Sequence, residues 1–336
     1  MSRATDRRRF LASQGWADAV VTRLTGDASN RSYVRLRRGD ETAIVMDAPT
    51  ATNPDTARFV EVAHYLHQVG LRPPRIMGQD LDQGFLLLED LGDALFARVL
   101  EQQPELEARL YQVAAQVLLH LRRAPVLPGL TQFTPQVMTR ITDLAYHWYA
   151  AEGATPPDHA PADAALLAAL HQAAAKTDVV ALRDFHAENL VWLPGAQGTD
   201  RAGLLDFQDA VLAHPAYDLV SLLQDARRDV SPKTRDNTIA AYLSQSGDDP
   251  DHFKAALAAI GAQRNLRILG VFARLALRAG KRHYVDMIHR VWQHLQYDLQ
   301  HPILADLKTA LASLLPAPTP DKLERLRRVC ATIPAP

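Results

Sequence analysis

A change of hydrophobic rhythm near Gly92 constrains this chain more than any other feature. Upstream of it, short stretches follow the two-residue period of a strand. Val34 and Leu36 oppose Tyr33, Arg35 and Arg37, Gly39-Asp40 supplies a turn, and residues 43–48 read as the returning strand of a hairpin. Pro54 then opens a stretch in which Phe59, Val62, Leu66 and Val69 share one helical face, with Gly70 as its stop. Phe85-Leu86-Leu87-Leu88 is an apolar run of strand length and leads into Glu89-Asp90-Leu91-Gly92, which reads as a hinge. Downstream the period becomes helical: Leu106, Leu110, Val113, Val117 and Leu121 follow Pro104. A Gly-, Pro- and Asp-containing loop at 151–161 precedes an alanine-rich helix that reaches about Lys176. The expectation is an α+β chain, with a small, mainly antiparallel domain over residues 1–92 and a large, mainly helical one over 93–336. At 336 residues and 47% hydrophobic content, each part can bury a core.

Charge and cysteine content narrow the function by exclusion. With 37 Lys+Arg against 38 Asp+Glu, the net charge predicts neither nucleic acid nor membrane as a partner. The first forty residues carry nine arginines against four aspartates, a pattern that reads as a solvated surface rather than an RNA-binding arm. The single cysteine, Cys330, excludes an internal disulfide and a cysteine zinc cluster, which fits a reducing cytoplasm. The beginning MSRATDRRRF is charged where a secretory leader needs an apolar core, and no run of about 18 apolar residues appears. The expectation is a cytoplasmic, soluble protein. His186-Ala187-Glu188 matches the His-x-Glu of zinc deaminases, but the Cys-x-x-Cys that chemistry needs is absent.

The chemistry concentrates in two short segments. Leu182-Arg183-Asp184-Phe185-His186-Ala187-Glu188-Asn189 holds an Asp and an Asn five apart, and Asp206-Phe207-Gln208 follows a short apolar run at 202–205. Phosphoryl transfer needs a carboxylate that accepts the proton of the attacking hydroxyl, together with oxygen ligands that hold Mg²⁺ against the phosphates. Asp184 fits the first role, and Asn189 and Asp206 fit the second. Either pattern alone is weak; their order and spacing together are strong. Upstream, Gly26-Asp27-Ala28-Ser29-Asn30-Arg31 forms a turn before the first hairpin strand, where backbone N–H groups can lie over phosphates. The backbone of Glu89, Asp90 and Leu91 is expected to meet the adenine of ATP.

These segments resemble the aminoglycoside phosphotransferase/choline kinase family, from Gly26 to about Tyr284. The family's His-Gly-Asp-x4-Asn loop is similar to Leu182-Arg183-Asp184 through Asn189, and its Asp-Phe to Asp206-Phe207. Its later Pro-x-Tyr-Asp-Leu is similar to Pro215-Ala216-Tyr217-Asp218-Leu219. The resemblance implies a two-lobed protein-kinase-like fold, ATP and Mg²⁺ as cofactors, and Asp218 as a brace for the catalytic loop. Segments 85–92, 183–190, 214–227 and 270–275 are most similar to the branch of that family acting on N-acetylmuramate and N-acetylglucosamine in bacterial cell-wall recycling. This implies a small amino sugar phosphorylated at its anomeric hydroxyl, with Gln208, Arg267 and Arg274 meeting it. An aminoglycoside or other hydroxyl kinase is the alternative acceptor class. A catalytically inactive binding module of the same fold is the alternative of another kind.

Two departures from the family stand out. The cation usually found on the second hairpin strand is absent, because the register puts Met46 or Asp47 there, and Arg31 or Arg35 is expected to compensate. Leu182-Arg183 also replaces His-Gly, which changes loop packing and removes no reacting group. Glu61, the possible helix partner of the missing lysine, lies off the apolar face and reads as solvated. Finally, the helical stretch 261–290 carries Arg264, Arg267, Arg274, Arg278, Lys281, Arg282 and Arg290 against Asp286 alone, a net of 7 − 1 = +6. Such a surface repels a polycationic acceptor and suits an anionic or neutral sugar.

Overall fold

In the computed structural model, residues 2–24, 31–53 and 56–331 are described. The turn at 26–30 and Pro54 lie outside them. The N-terminal text folds as α1 (Arg3–Ser13), β1 (Val20–Leu24), β2 (Ser32–Arg38), β3 (Glu41–Asp47), α2 (Thr56–Gln68), β4 (Ile76–Asp80) and β5 (Phe85–Glu89). Then come α3 (Phe96–Gln102), α4 (Glu107–Arg123), α5 (Pro135–Arg140), a π-helical turn (Ala145–Ala150) and α6 (Ala160–Ala174). Four short strands, β6 (Val179–Ala181), β7 (Leu190–Trp192), β8 (Ala202–Leu204) and β9 (Val211–Ala213), interrupt the helices. The remainder is α7 (Ala216–Leu223), α8 (Pro232–Ser246), α9 (Pro250–Ala279), α10 (His283–Asp298), α11 (Ala305–Leu311) and α12 (Pro320–Arg328). No helix among the described residues is long and apolar enough to cross a membrane.

The chain divides into two compact units, Met1–Leu127 with Ala187–Ala210, and Pro128–His186 with Val211–Pro336. The first is built on a five-stranded antiparallel sheet in the order β1-β2-β3-β5-β4. Gly39-Asp40 joins β2 to β3, and Gly39 takes the positive φ of +59° that this tight turn requires. One sheet face is apolar: Val34, Leu36, Val45, Phe85 and Leu87 pack against Phe10 and Leu11 of α1 and against Trp16. Phe10 and Phe85 stack with centroids 5.5 Å apart. Arg3 and Arg7 of α1 reach Asp47 at 2.7 and 3.8 Å, so Asp47 belongs to this helix-covered side. Helix α2 buries Phe59, Val62 and Leu66, as its periodicity predicts, and Glu61 stays exposed beside Arg58 at 2.5 Å.

The second unit is organised around α9, which packs against α10, α6, α7 and the π-helical turn. Gly270 makes the closest of these crossings possible: a Cβ there would lie 2.2 Å from the Leu144 carbonyl carbon. The basic stretch 261–290 is not one helix, because Gly280, at φ +69°, ends α9 before α10 starts. Nor is it one surface. Arg264 is buried, Arg278 stacks over Trp148 at 5.7 Å, Arg290 pairs with Asp229 at 2.6 Å, and Asp286 pairs with Arg327 at 2.7 Å.

Candidate active site

Asn189 and Asp206 are brought together by a two-stranded ribbon. β7 and β8 pair antiparallel with Leu190 opposite Leu204, and the Leu205 N–H donates to the Asn189 carbonyl at 2.9 Å. Asp206 therefore follows directly at the end of the ribbon where Asn189 begins it. Asp206 has φ +55°, the left-handed region that costs an L-residue about 1–2 kcal/mol. What holds it there is the next side chain: Phe207 is fully buried, its ring 4.8 Å from that of Phe59 on α2. Gln208 Nε2 donates to Asp206 Oδ1 at 2.8 Å, and the buried Gln208 Oε1 has no hydrogen-bond partner among the described residues.

This donor set fits magnesium. Among the described residues no three His, Cys, Asp or Glu converge as a metal cage. Two oxygen-bearing side chains suit a hard cation that completes its shell with phosphate oxygens and water. The neighbouring orphan, Gln208 Oε1, is a buried acceptor with capacity to spare.

The hinge residues have different side-chain commitments. Glu89 accepts from Arg72 at 2.6 and 2.8 Å, and that guanidinium holds its carboxyl down at about 2, well below the usual carboxylate range. Asp90 Oδ1 accepts from the Gly92 N–H at 2.9 Å. Leu91 lies over Gly203 of β8, where a Cβ would sit 2.8 Å from its Cδ1. Arg35 bridges Asp90 and Asp93 at 2.7 and 2.5 Å and so is committed to the hinge. Arg31, the other cation expected to compensate for the missing lysine, hydrogen-bonds Tyr33.

Asp184 belongs to the second unit. Its loop leaves β6, which pairs with β9. Asp218, in the first turn of α7, accepts the Leu182 N–H at 2.6 Å and the Arg183 N–H at 2.9 Å. Burial pushes the Asp218 carboxyl up to about 6, against the pull of those two amides and of Arg264. A second tie runs from α9: Arg264 Nη2 donates to Ser221 Oγ at 2.7 Å, and Ser221 Oγ donates to the Arg183 carbonyl at 2.9 Å. Arg264 also lies over the Tyr217 ring at 4.7 Å. Both polar groups of the Arg183 peptide are thus gripped, one residue before Asp184. Arg183 itself has φ +71° and stacks over Phe133 at 5.3 Å.

His186 is buried, its Nε2 3.5 Å from Arg227 Nη1, and burial depresses its pKa. Arg267, one turn after Arg264, is half-buried and makes no hydrogen bond or ion pair with a described residue. Burial lowers its pKa, and Tyr217, Arg183, Arg264 and Asp184 are the groups it senses. Arg274, two turns further along α9, is also half-buried and also lacks such a partner. Sequence reasoning assigned no role to Ser221 or Tyr33, and it read Arg264 only as part of a basic surface. Ser221 lies inside the quoted segment 214–227, where it reads as one more small helix residue.

A family model described as "Phosphotransferase enzyme family" matches residues 20–257. The chain is 38% identical to an N-acetylmuramate/N-acetylglucosamine kinase of Caulobacter vibrioides, over 94% of this chain and 98% of that protein. It is 32% identical to the Pseudomonas aeruginosa protein of the same name, over 91% and 92%. A crystal structure of an ADP-bound aminoglycoside phosphotransferase superposes with a TM-score of 0.60 at 13% identity, covering 87% of this chain and 98% of that one, which speaks for the two-lobed protein-kinase-like fold. With an end-to-end likeness, a matching fold and an Asp-x4-Asn loop followed by Asp-Phe, the chain belongs to the phosphotransferase enzyme family.

Proposed function

We propose that this chain transfers the γ-phosphoryl group of ATP to the anomeric hydroxyl of N-acetylmuramate and N-acetylglucosamine, in the cytoplasm, as part of peptidoglycan recycling. The observation that carries this reading is the 38% identity, over nearly all of both chains, to a kinase named for those two sugars. The N-terminal part, residues 1–92, takes the nucleotide. The backbone of 89–91 meets adenine, and the turn at 26–31 covers the phosphates. Residues 93–336 supply the catalytic loop, the metal ligands and the acceptor pocket.

Asn189 and Asp206 hold Mg²⁺, which when bound neutralises charge on the phosphate oxygens. Asp184 accepts the proton of the sugar hydroxyl as its oxygen bonds to the γ-phosphorus and the bond to the β,γ-bridging oxygen breaks, leaving ADP. The ties from Asp218 and from Ser221 with Arg264 fix the peptide before Asp184, so the carboxylate meets its proton without a search over loop conformers. Gln208, Arg267 and Arg274 face the sugar. Arg267, lacking an anionic partner among the described residues, pairs with the lactyl carboxylate of N-acetylmuramate, and that charge adds affinity without being required. A polycationic aminoglycoside meets the opposite condition, because an unpaired arginine repels it.

The test is magnesium-dependent ADP release with each acceptor, coupled to an assay of the reducing end. Turnover on both amino sugars, with loss of the reducing end and none on a kanamycin-like amine, is expected. A 6-phosphate product overturns the anomeric assignment. Efficient aminoglycoside phosphorylation with no turnover on amino sugars overturns the acceptor.

A further inference from the structure

Helix α7 is buried along its whole length, and one stripe of it is polar: Asp218, Ser221 and, at its C-cap, Gln224, spaced three apart. Asp218 and Ser221 grip the backbone of Leu182 and Arg183. Gln224 belongs instead to a closed ring that spans three helices. Its Nε2 donates to Asp298 Oδ1 of α10 at 2.7 Å, Asn265 Nδ2 of α9 donates to Asp298 Oδ2 at 3.0 Å, and the same Nδ2 donates to Gln224 Oε1 at 2.7 Å. Asn265 and Asp298 are buried. Asp298 reaches in because α9 has Gly261 one turn before Asn265, where a Cβ would collide with that carboxylate.

The ring admits one pattern of donors and acceptors. Asn265 sends an N–H to each neighbour, so each must answer with an oxygen. Gln224 answers with Oε1 and is left with Nε2 toward position 298, which must then present an oxygen to both amides. Only an ionised carboxylate does so. A protonated Asp298, or an asparagine in its place, leaves one edge mismatched, and turning over any of the amides only moves the mismatch to another edge. Burial pushes the Asp298 pKa well above its ordinary value, against the pull of Gln224, Asn265 and Arg235, so keeping the charge costs stability. Apolar side chains of equal volume would cost less, but they would tolerate a sliding or rotated α7. A ring with a single closing pattern does not, since any slip orphans buried groups.

We infer that Gln224, Asn265 and Asp298 are positioning residues of the catalytic loop: their ring fixes the C-terminal end of α7 on α9 and α10, and so holds Asp218 and Ser221 at the Leu182 and Arg183 backbone. Asn265 adjoins Arg264, whose Nη2 donates to Ser221 Oγ, so two successive residues of α9 set the height of α7 at points one turn apart. The consequence for turnover rests on the reading of Asp184 as proton acceptor. The consequence for the loop's conformation does not.

The experiment is hydrogen exchange at the Leu182 and Arg183 amides, compared with the amides of α6, alongside kcat, KM for ATP and urea unfolding. Asp298→Asn speeds exchange at the two loop amides about tenfold beyond any change in α6, and lowers kcat about three- to tenfold with KM for ATP little changed. Gln224→Glu, which sets two carboxylates against each other, does the same. Combined, Gln224→Glu and Asp298→Asn close the ring again: position 224 then offers an oxygen to each neighbour, and position 298 donates to it while accepting from Asn265. The double variant therefore returns both readouts toward wild type. Gln224→Met releases α7 and leaves the bond between Asn265 and Asp298, so it carries the measurement if Asp298→Asn does not fold. Exchange that rises equally in α6 and the loop makes the ring a fold-stabilising element only, and overturns the inference. A double variant no better than its worse single overturns it too. Exchange needs neither nucleotide nor acceptor, so a rise confined to the loop with unchanged kcat sustains the ring and faults the role given to Asp184.

Discussion

Asp206 is kept at φ +55° by an aromatic ring, with Phe207 driven into Phe59 beside it. The peptide ahead of Asp184 is kept by charge and hydrogen bonds: Asp218 grips its amides, and Arg264 grips its carbonyl through Ser221. The difference teaches how each anchor fails. An apolar anchor loses strength in proportion to the volume removed, and its neighbours relax into the gap. A buried polar relay fails by orphaning groups, so losing one member can cost as much as losing two. Damage to the first should read mainly as stability, and damage to the second mainly as turnover.

The largest expected effect reports on neither anchor and calibrates both. Asp184→Asn should lower kcat by about 10²- to 10⁴-fold, the usual contribution of a general base, while ATP binding measured by calorimetry stays close to wild type. Wild-type turnover in that variant would remove Asp184 from the chemistry. Next, Phe207→Ala should cost about 3–5 kcal/mol in urea unfolding. A loss below about 1 kcal/mol would mean that the ribbon and not the ring holds Asp206. Arg264→Met should lower kcat about tenfold with a smaller change in KM, and Ser221→Ala should add little in that background. Equal effects on stability and turnover from Phe207→Ala and Arg264→Met would erase the distinction between the anchors.

The smallest effect concerns pH. Arg72 holds the Glu89 carboxyl down at about 2 in the folded state against 4.5 for the free group. The folded state therefore favours the ionised form. Its contribution is fully present above pH 4.5 and is lost as pH falls toward about 2. Glu89→Gln should flatten the acid limb of the stability profile in that window and change little at pH 7 beyond the lost pair. A parallel acid limb in the variant would assign the sensitivity elsewhere.

How far all this could be read from sequence depends on the range of the interactions. The Gly39-Asp40 hairpin, the buried side of α2 and the Phe85–Glu89 strand were legible because local periodicity and turn chemistry specify them. Asp184, Asn189 and Asp206 were legible as an ordered motif. Their distribution over two units, with the division between His186 and Ala187, was not, because nothing local marks it. The hinge partners of Arg35, Asp90 and Asp93, were not legible, since they are 55 and 58 residues away. Arg264 disappeared into what read as a basic stripe, since only tertiary packing buries it against Tyr217 and Ser221. The strand position expected to hold a lysine offered Met46 or Asp47. Only pairing showed that Asp47 goes with Arg3 on the helix-covered side.

The positive φ at Arg183 has a consequence for how this loop can drift. A glycine there is free of the roughly 1–2 kcal/mol that the left-handed conformation costs an arginine. The arginine recovers about 0.5–1 kcal/mol by lying over Phe133. Exchange between the family's glycine and this arginine is therefore close to neutral, and a saturation library at position 183 should sort by backbone tolerance rather than by side-chain chemistry. Gly and Asn should survive near the natural residue, and Val and Ile should fall away. A segment one residue from Asp184 can in this way change its spelling over generations while its conformation, pinned from both sides, stays where it is.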